Sequence, residues 1–135
     1  MAKKRIATFL GPNQGLSVVG DHAYAYSGGI PASTTASTVL SFTTGKYYVE
    51  GWLQFNGYVM FANASTGNQG TLDVTFNGQT VIVLKTETEL ETSSPHSIRC
   101  PIIIPPFTAV TVLTDASADE AANLATVVII GKVYA

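Results

Sequence analysis

Apolar and polar residues alternate along most of this chain, which is the period of a β-strand with one side against a core. In the segment from Lys46 onward, Tyr47, Val49, Leu53 and Phe55 fall on one face together with Gly51. Many β-branched and aromatic residues accompany this period. The pattern predicts strands at residues 37–43, 46–55, 58–62, 71–76, 79–86, 97–104, 108–114 and 126–134.

Turn residues separate these strands. The pair Asn77-Gly78 is the strongest hairpin signal, because both positions tolerate positive φ. One helical signal is present: Ser117-Ala-Asp-Glu120 matches a capping box, which predicts at most one turn of helix at residues 118–123. We therefore predict an all-β, jelly-roll-like antiparallel β-sandwich of about seven to eight strands. A single sandwich domain is expected at residues 15–135, preceded by a short, flexible N-terminal arm at residues 1–14.

The most apolar segment of the chain, residues 99–115, is interrupted by three prolines. Pro101 is expected at a sheet edge or a bulge, where a strand needs no backbone donor. The pair Pro105-Pro106 is expected to end one strand and to force an extended corner. Phe107 would then begin a strand that can cross to the opposite sheet.

Ile102, Ile103 and Ile104 are consecutive, so they cannot all face one core, because successive strand residues point to opposite sides. We predict that either Ile103 or the pair Ile102 and Ile104 is buried by another subunit. Trp52 lies in mid-strand on the side opposite Leu53, where packing in a core or an interface is usual. We assign it to the same expected subunit interface.

Charged residues make up 12% of the chain, about half the usual share, while serine and threonine number 10 and 17. Such a neutral, hydroxyl-rich surface suits a chain that hides its exterior against other chains, although a β domain with a threonine-rich surface has the same statistics. Lys3, Lys4 and Arg5 are three of the seven basic residues, so residues 6–135 carry four basic and nine acidic residues. That body offers no basic stripe for nucleic acid.

Targeting signals and membrane spans are not expected. The apolar run that follows Arg5 is too short for a signal peptide, and no segment approaches the length of a membrane span. We therefore expect synthesis in a cytoplasm and no membrane partner. Cys100 has no partner for an internal disulfide and is interpreted as a small buried apolar residue.

Residues that carry chemistry are sparse. His22 and His96 lie far apart and form no His-x-His pair, so a metal site that joins them to Asp73 is disfavoured. Three alternating glutamates are interpreted as a solvated edge strand that discourages aggregation, rather than as a calcium site or a glycosidase pair; they are Glu87, Glu89 and Glu91. We predict that the chain is not an enzyme and has no catalytic residue, no metal and no cofactor.

Three segments resemble a known family. The stretches Gly20-Asp-His-Ala-Tyr-Ala-Tyr-Ser-Gly28, Val39-Leu-Ser-Phe-Thr-Thr-Gly-Lys-Tyr-Tyr48 and Pro101-Ile-Ile-Ile-Pro-Pro-Phe-Thr-Ala-Val-Thr-Val112 look like those of small jelly-roll proteins that decorate or cement the capsids of tailed bacteriophages. The resemblance covers residues 15–135 and is structural rather than catalytic. Related jelly rolls also form tail-fibre tips and tumour-necrosis-factor-like trimers.

The resemblance implies a structural virion protein on the outer capsid surface that forms homotrimers and clamps neighbouring subunits of the major capsid protein. Under this expectation the N-terminal arm contacts the capsid, and Ile6, Phe9 and Leu10 become anchors when it docks. Lys3, Lys4 and Arg5 would favour an acidic partner surface.

A second function stays open: the receptor- or glycan-binding tip of a phage tail fibre. It is favoured by the number of aromatic residues, since sugar sites often use an exposed aromatic platform. The candidates are Tyr24, Tyr26, Tyr47, Tyr48, Trp52 and Tyr58.

Overall fold

A computed structural model describes residues 15–56, 70–85, 97–117 and 119–135 of the chain. These residues form ten β-strands and no helix, which confirms the all-β prediction. The strands are β1 (Ser17–Val19), β2 (His22–Tyr26), β3 (Ile30–Ala32), β4 (Ser37–Thr43), β5 (Tyr48–Asn56), β6 (Gly70–Phe76), β7 (Gln79–Lys85), β8 (Ser97–Ile104), β9 (Ala109–Ala116) and β10 (Glu120–Tyr134).

The strands form two antiparallel sheets. Sheet A has the order β1-β2-β10-β5-β8, with β3 beside the first part of β10, and sheet B has the order β4-β9-β6-β7. Without the two three-residue strands β1 and β3, eight strands remain, and they can be numbered 1 to 8 in chain order from β2 to β10. In this numbering the order is 1-8-3-6 in sheet A and 2-7-4-5 in sheet B. This interleaving is the strand order of a jelly roll, so the predicted sandwich is confirmed at the level of its topology.

The core lies between the two sheets and is built from the inward-facing half of each alternating strand. In β5, Val49, Leu53 and Phe55 are buried, as the period of two predicts. In β4 two successive residues, Val39 and Leu40, are both buried because a bulge shifts the register between Thr38 and Leu40. Alternation therefore accounts for the buried residues of β5, and a bulge accounts for the two successive buried residues of β4.

Pro101 lies in an edge strand and Pro105 directly follows the end of β8, as expected, but the corner contains a turn at residues 106–107 and is not extended. Pro101 lies in β8, the edge strand of sheet A, and the chain leaves β8 after Ile104 to enter β9 in sheet B. Phe107 differs from expectation, because it lies in the turn and β9 begins only at Ala109. Its φ of 52° is left-handed and incompatible with a strand.

The expected turn of helix at residues 118–123 is wrong, since residues 120–123 are the first residues of β10. Glu120 pairs with Ala32 of β3, and the ladder reaches Leu124 after a bulge. The Asp119 carboxylate accepts a hydrogen bond from the backbone N–H of Thr34 at 2.7 Å, so it caps a neighbouring loop rather than a helix of its own. Long-range pairing with β3 therefore outweighs the local capping signal.

Candidate functional site

The outer side of sheet A carries a continuous band of apolar side chains. In register across the strands, Tyr24 of β2 lies beside Ile130 of β10, Ile130 beside Trp52 of β5, and Trp52 beside Pro101 of β8. Ile103 lies next to this row, and the exposed fractions of Trp52, Ile103 and Ile130 are 44%, 60% and 52%. We call these five side chains, Tyr24, Trp52, Pro101, Ile103 and Ile130, the apolar face.

The outer side of sheet B is different. Its described positions are mainly threonine and aspartate, and the side chains of Thr75, Thr111 and Asp73 are half-buried there. Its exposed large apolar residues in the described strands are Val81 and Val83, both on the edge strand β7. The two faces of the sandwich therefore have different chemistry, and only sheet A presents an apolar surface across several strands.

A groove of about 440 Å³ runs along the apolar face. Trp52, Ile103 and Ile130 form its apolar walls, and Glu50, Lys132, His22 and Tyr134 contribute polar groups to its lining. Lys132 lies directly across from Glu50 in the β5–β10 register. The groove therefore combines an aromatic wall with side chains of both charge signs.

Two glycines bring the strands under the groove unusually close together. Gly51 and Gly131 are register partners, and a Cβ added to Gly51 would lie 2.0 Å from the carbonyl oxygen of Ile130. A Cβ on Gly131 would lie 2.5 Å from the carbonyl oxygen of Glu50. Since such distances are far below contact distance, this part of β5 and β10 requires glycine in both strands.

Ring contacts fix the orientation of the aromatic side chains. The guanidinium of Arg99 lies 4.4 Å from the centre of the Trp52 ring, and the rings of Tyr48 and Tyr134 stack at 5.3 Å. The Tyr24 and Tyr26 rings are in tilted contact at 5.4 Å. Such contacts limit the conformational freedom that a partner would otherwise have to remove on binding.

A polar cluster borders the apolar face toward the opposite end of the sheet. The Gln54 amide donates hydrogen bonds to Asn56 and Ser97, both at 3.1 Å. Asn56 in turn donates to the Thr126 hydroxyl at 2.9 Å. Because these side chains satisfy one another's hydrogen-bonding groups, that end of the sheet is less suited to a new contact than the apolar face is.

An exposed aromatic ring lies in the loop that follows β8, at the end of sheet A where β5 begins. Phe107 is 72% exposed, and its N–H donates to the carbonyl oxygen of Gly45 at 2.8 Å. The buried hydroxyl of Thr44 donates to the carbonyl oxygen of Pro105 at 2.7 Å and accepts from the N–H of Thr108 at 2.9 Å. These bonds fasten both sides of the loop to the end of β4.

The structure separates the predicted interface residues into two groups. Ile103 and Trp52 lie on the exposed face of sheet A, whereas Ile102 and Ile104 are 3% and 0% exposed and belong to the core of their own chain. Assignment of Ile102 and Ile104 to a subunit interface is therefore corrected, because their side chains already pack inside the sandwich. Burial of Ile103 and Trp52 by a second chain stays a prediction.

The predicted capsid contacts of the N-terminal arm lie outside the described residues, as do the strand expected at residues 58–62 and the three alternating glutamates. The arm contacts in question are Lys3, Lys4, Arg5, Ile6, Phe9 and Leu10.

Sequence reasoning missed several residues of this surface. Ile130, Lys132 and Tyr134 share one parity in β10, so the alternation of that strand contained the signal once its register was known. His22 was missed as a surface-forming residue because β2 has five residues and was not predicted as a strand, and Tyr24 was considered only among the aromatic candidates for a sugar site. The position of Phe107 was not predicted, because nothing in the neighbouring sequence distinguishes the first residue of a strand from a turn residue in the left-handed conformation.

The groups considered for chemistry are not brought together. His22 lies on sheet A and Asp73 on sheet B, while His96 is outside the described residues. Within the described ranges no three His, Cys, Asp or Glu side chains are placed to hold a metal ion. Cys100 is half-buried against the core, and burial raises the pKa of its thiol.

None of the described residues belongs to a helix that could cross a membrane. Comparison with known proteins finds no family model and no curated protein that matches this sequence. The jelly-roll topology and the apolar face of sheet A are therefore the features from which a function can be argued.

Proposed function

We propose that this chain is a capsid decoration protein that forms homotrimers and stabilises a phage head by clamping neighbouring capsid subunits. The observation that carries the proposal is the apolar face, a band of large side chains exposed on one sheet of a jelly roll. Monomeric proteins rarely leave an apolar patch that spans several strands open to water. A neighbouring copy of the same chain would cover it.

Burial of the apolar face contributes a favourable free energy to association. Full burial of one large apolar side chain contributes about 1.5–3 kcal/mol. Trp52, Ile103 and Ile130 are each about half exposed, so covering them recovers roughly half of that range for each side chain. This apolar gain is one favourable term for association, and the loss of translational and rotational freedom on assembly opposes it.

The N-terminal arm supplies the proposed link to the capsid. Its point of attachment is fixed, because Leu16 and Val18 are buried in the sandwich core. Ile6, Phe9 and Leu10 are the apolar anchors proposed for its contact with a neighbouring capsid subunit.

Capsid binding tests this function. Shells assembled from the major capsid protein of the proposed phage are mixed with the purified protein and sedimented, and we expect the protein in the pellet at a stoichiometric ratio. Deletion of residues 2–12 should abolish co-sedimentation and leave the sandwich folded. Unchanged binding after the deletion would remove the arm from the proposed clamp, and no binding of the intact chain would refute the function.

A glycan-binding tail tip is the second candidate, and the groove favours it. Trp52 provides an aromatic wall, and Glu50, Lys132 and Tyr134 provide hydrogen-bonding groups at its rim. Trp52 is the single tryptophan, so its fluorescence reports directly on occupation of the groove. A saturable change in emission on titration with host-cell oligosaccharides, abolished by Glu50→Gln or Lys132→Met, would favour this function over decoration.

A further inference from the structure

The sequence Phe-Asn-Gly occurs twice in this chain, as Phe55-Asn56-Gly57 and as Phe76-Asn77-Gly78. In an Asn-Gly pair the backbone nitrogen of the glycine can attack the carbonyl carbon of the asparagine side chain, because glycine has no side chain to block the approach. Since both copies have the same residues on either side of the asparagine, their reactivity in an unfolded chain is similar. A difference between them in the folded protein therefore comes from the structure.

The reaction of an Asn-Gly pair is a cyclisation followed by a hydrolysis. The glycine N–H loses its proton, its nitrogen forms a bond to the asparagine Cγ, and the side-chain amide leaves as ammonia. Water then opens the five-membered imide at one of its two carbonyl carbons. Opening at one carbon gives aspartate, and opening at the other gives isoaspartate, in which the backbone runs through Cβ and Cγ. The ring closes only where the side chain and the next peptide can rotate toward each other.

The folded structure holds the side chain of Asn56 at both ends of its amide group. Its Nδ2 donates to the Thr126 hydroxyl at 2.9 Å, and its Oδ1 accepts from the Ser97 hydroxyl at 2.9 Å and from the Gln54 amide at 3.1 Å. Asn56 is also the last residue of β5, which pairs with β10 on one side and with β8 on the other. These bonds must break before its Cγ can rotate. Gly57 lies outside the described residues.

Asn77 lies in a more open place, at the tip of the β6–β7 hairpin. Asn77 and Gly78 are both exposed, and their φ angles of 51° and 82° are those of a two-residue type I′ turn. Among the described residues, one hydrogen-bond partner holds the Asn77 amide group: its Oδ1 accepts from the Ala109 N–H at 2.8 Å. Loop tips open more readily than strands that are paired on both sides.

Modification of Asn77 would alter the start of β9. The N–H of Asn77 donates to the Ala109 carbonyl oxygen at 2.8 Å, and its Oδ1 accepts from the Ala109 N–H, so the hairpin tip holds the first residue of that strand. Isoaspartate lengthens the backbone of the turn by one carbon, which disturbs both bonds. The new carboxylate also adds a negative charge to a chain whose formal net charge is −2.

We infer that Asn77 is a site of spontaneous covalent modification, which proceeds by cyclisation with Gly78 and hydrolysis to aspartate or isoaspartate, whereas Asn56 in the same local sequence is protected by its hydrogen bonds. The inference concerns the folded sandwich and does not depend on the function proposed above.

Peptide mapping by mass spectrometry tests this inference. The purified chain is held at mildly alkaline pH, which favours loss of the glycine proton, and is digested at intervals with chymotrypsin, whose sites at Tyr58 and Phe61 separate the two asparagines. We expect conversion at Asn77 to be at least about tenfold faster than at Asn56, because the additional hydrogen bonds at Asn56 must open. In urea that unfolds the chain, the two rates should become similar.

Removal of a hydrogen-bond partner should make Asn56 reactive. Thr126→Val keeps the shape of the side chain but removes the hydroxyl that accepts from Asn56 Nδ2, so conversion at Asn56 should rise severalfold while conversion at Asn77 stays unchanged. Thr126→Ser keeps the hydroxyl and is the matched control, which should behave as the wild type does. Ser97→Ala removes a donor to Asn56 Oδ1 from the edge strand β8 and should have the same effect as Thr126→Val.

Three results would overturn the inference. Equal conversion at Asn56 and Asn77 in the folded chain would show that the reaction proceeds from the unfolded state. Conversion of both sites in urea and of neither in the folded chain would show that the hairpin tip protects Asn77 as well. An Asn56 rate that is unchanged by both Thr126→Val and Ser97→Ala would contradict the protection given to its hydrogen bonds.

Discussion

Among the residues of sheet A, Gly51 is the one whose substitution should lower the stability of the fold most. The nearest backbone atom to an added Cβ is only 2.0 Å away, so Gly51→Ala must push β5 and β10 apart. Overpacking against backbone of this kind costs about 2 kcal/mol or more. We expect the free energy of unfolding in urea to fall by that amount, since the two strands are central in sheet A.

Gly29→Ala is the matched control for this change. The nearest atom to a Cβ at Gly29 is the end of the flexible Leu124 side chain at 3.2 Å, which can move aside. Its unfolding free energy should stay within about 0.5 kcal/mol of the wild type. Equal effects of the two substitutions would show that close backbone approach at Gly51 is not what requires glycine.

At the scale of residues, alternation predicted which side chains face the core wherever the chain alternates. Val49, Leu53 and Phe55 follow it, and so does the exposure of Trp52 opposite them. Three consecutive isoleucines carry no such information, so the choice between Ile103 and its neighbours needed the register of β8 against β5. The requirement for Gly51 was also invisible, because it arises from a partner strand distant in sequence.

The buried hydroxyl of Thr44 makes two of the hydrogen bonds that hold the corner between β8 and β9. Thr44→Val keeps the shape of the side chain but removes the acceptor for the Thr108 N–H and the donor to the Pro105 carbonyl oxygen. Loss of one partner of a buried hydrogen bond costs about 1–3 kcal/mol. We expect Thr44→Val to lower the unfolding free energy by this amount and to increase amide hydrogen exchange at Thr108.

Thr43→Val is the control for this loop. Thr43 is exposed on the outer side of β4, so the same chemical change there should alter the unfolding free energy by about 0.5 kcal/mol or less. Comparable losses at both positions would contradict the role given to Thr44 in holding the corner.

At the scale of elements, long strands with clear alternation could be predicted from the sequence, and short or remotely paired ones could not. Strand β4 is found where the pattern placed it, whereas β1 and β3 have only three residues each, too few to show a period. The start of β10 was missed because a local capping signal competes there with pairing to β3. The deciding interaction joins residues far apart in sequence.

At the scale of the whole molecule, the two outer faces differ in a way that the core does not require. A sandwich needs only its inner faces to be apolar. Sheet B has mainly threonine and aspartate on its outer side, with exposed valines on its edge strand β7, while sheet A has tryptophan, tyrosine and isoleucine there. This asymmetry was not available from composition, because composition does not tell which sheet a residue belongs to.

Association through sheet A should therefore dominate the behaviour of the chain in solution. Trp52→Ser removes the largest side chain of the apolar face and leaves the core untouched, since Trp52 points outward. We expect this variant to melt at a temperature independent of protein concentration, whereas the melting temperature of the wild type should rise with concentration. Concentration-independent melting of the wild type would contradict an interface at this face.

The molar mass of the purified chain in solution tests the central claim most directly. Light scattering on a size-exclusion column, repeated over a range of micromolar loading concentrations, should give three times the chain mass of 14.2 kDa. A mass equal to one chain at every concentration would contradict the trimer and with it the proposed clamp. A mass equal to two chains would contradict the threefold ring.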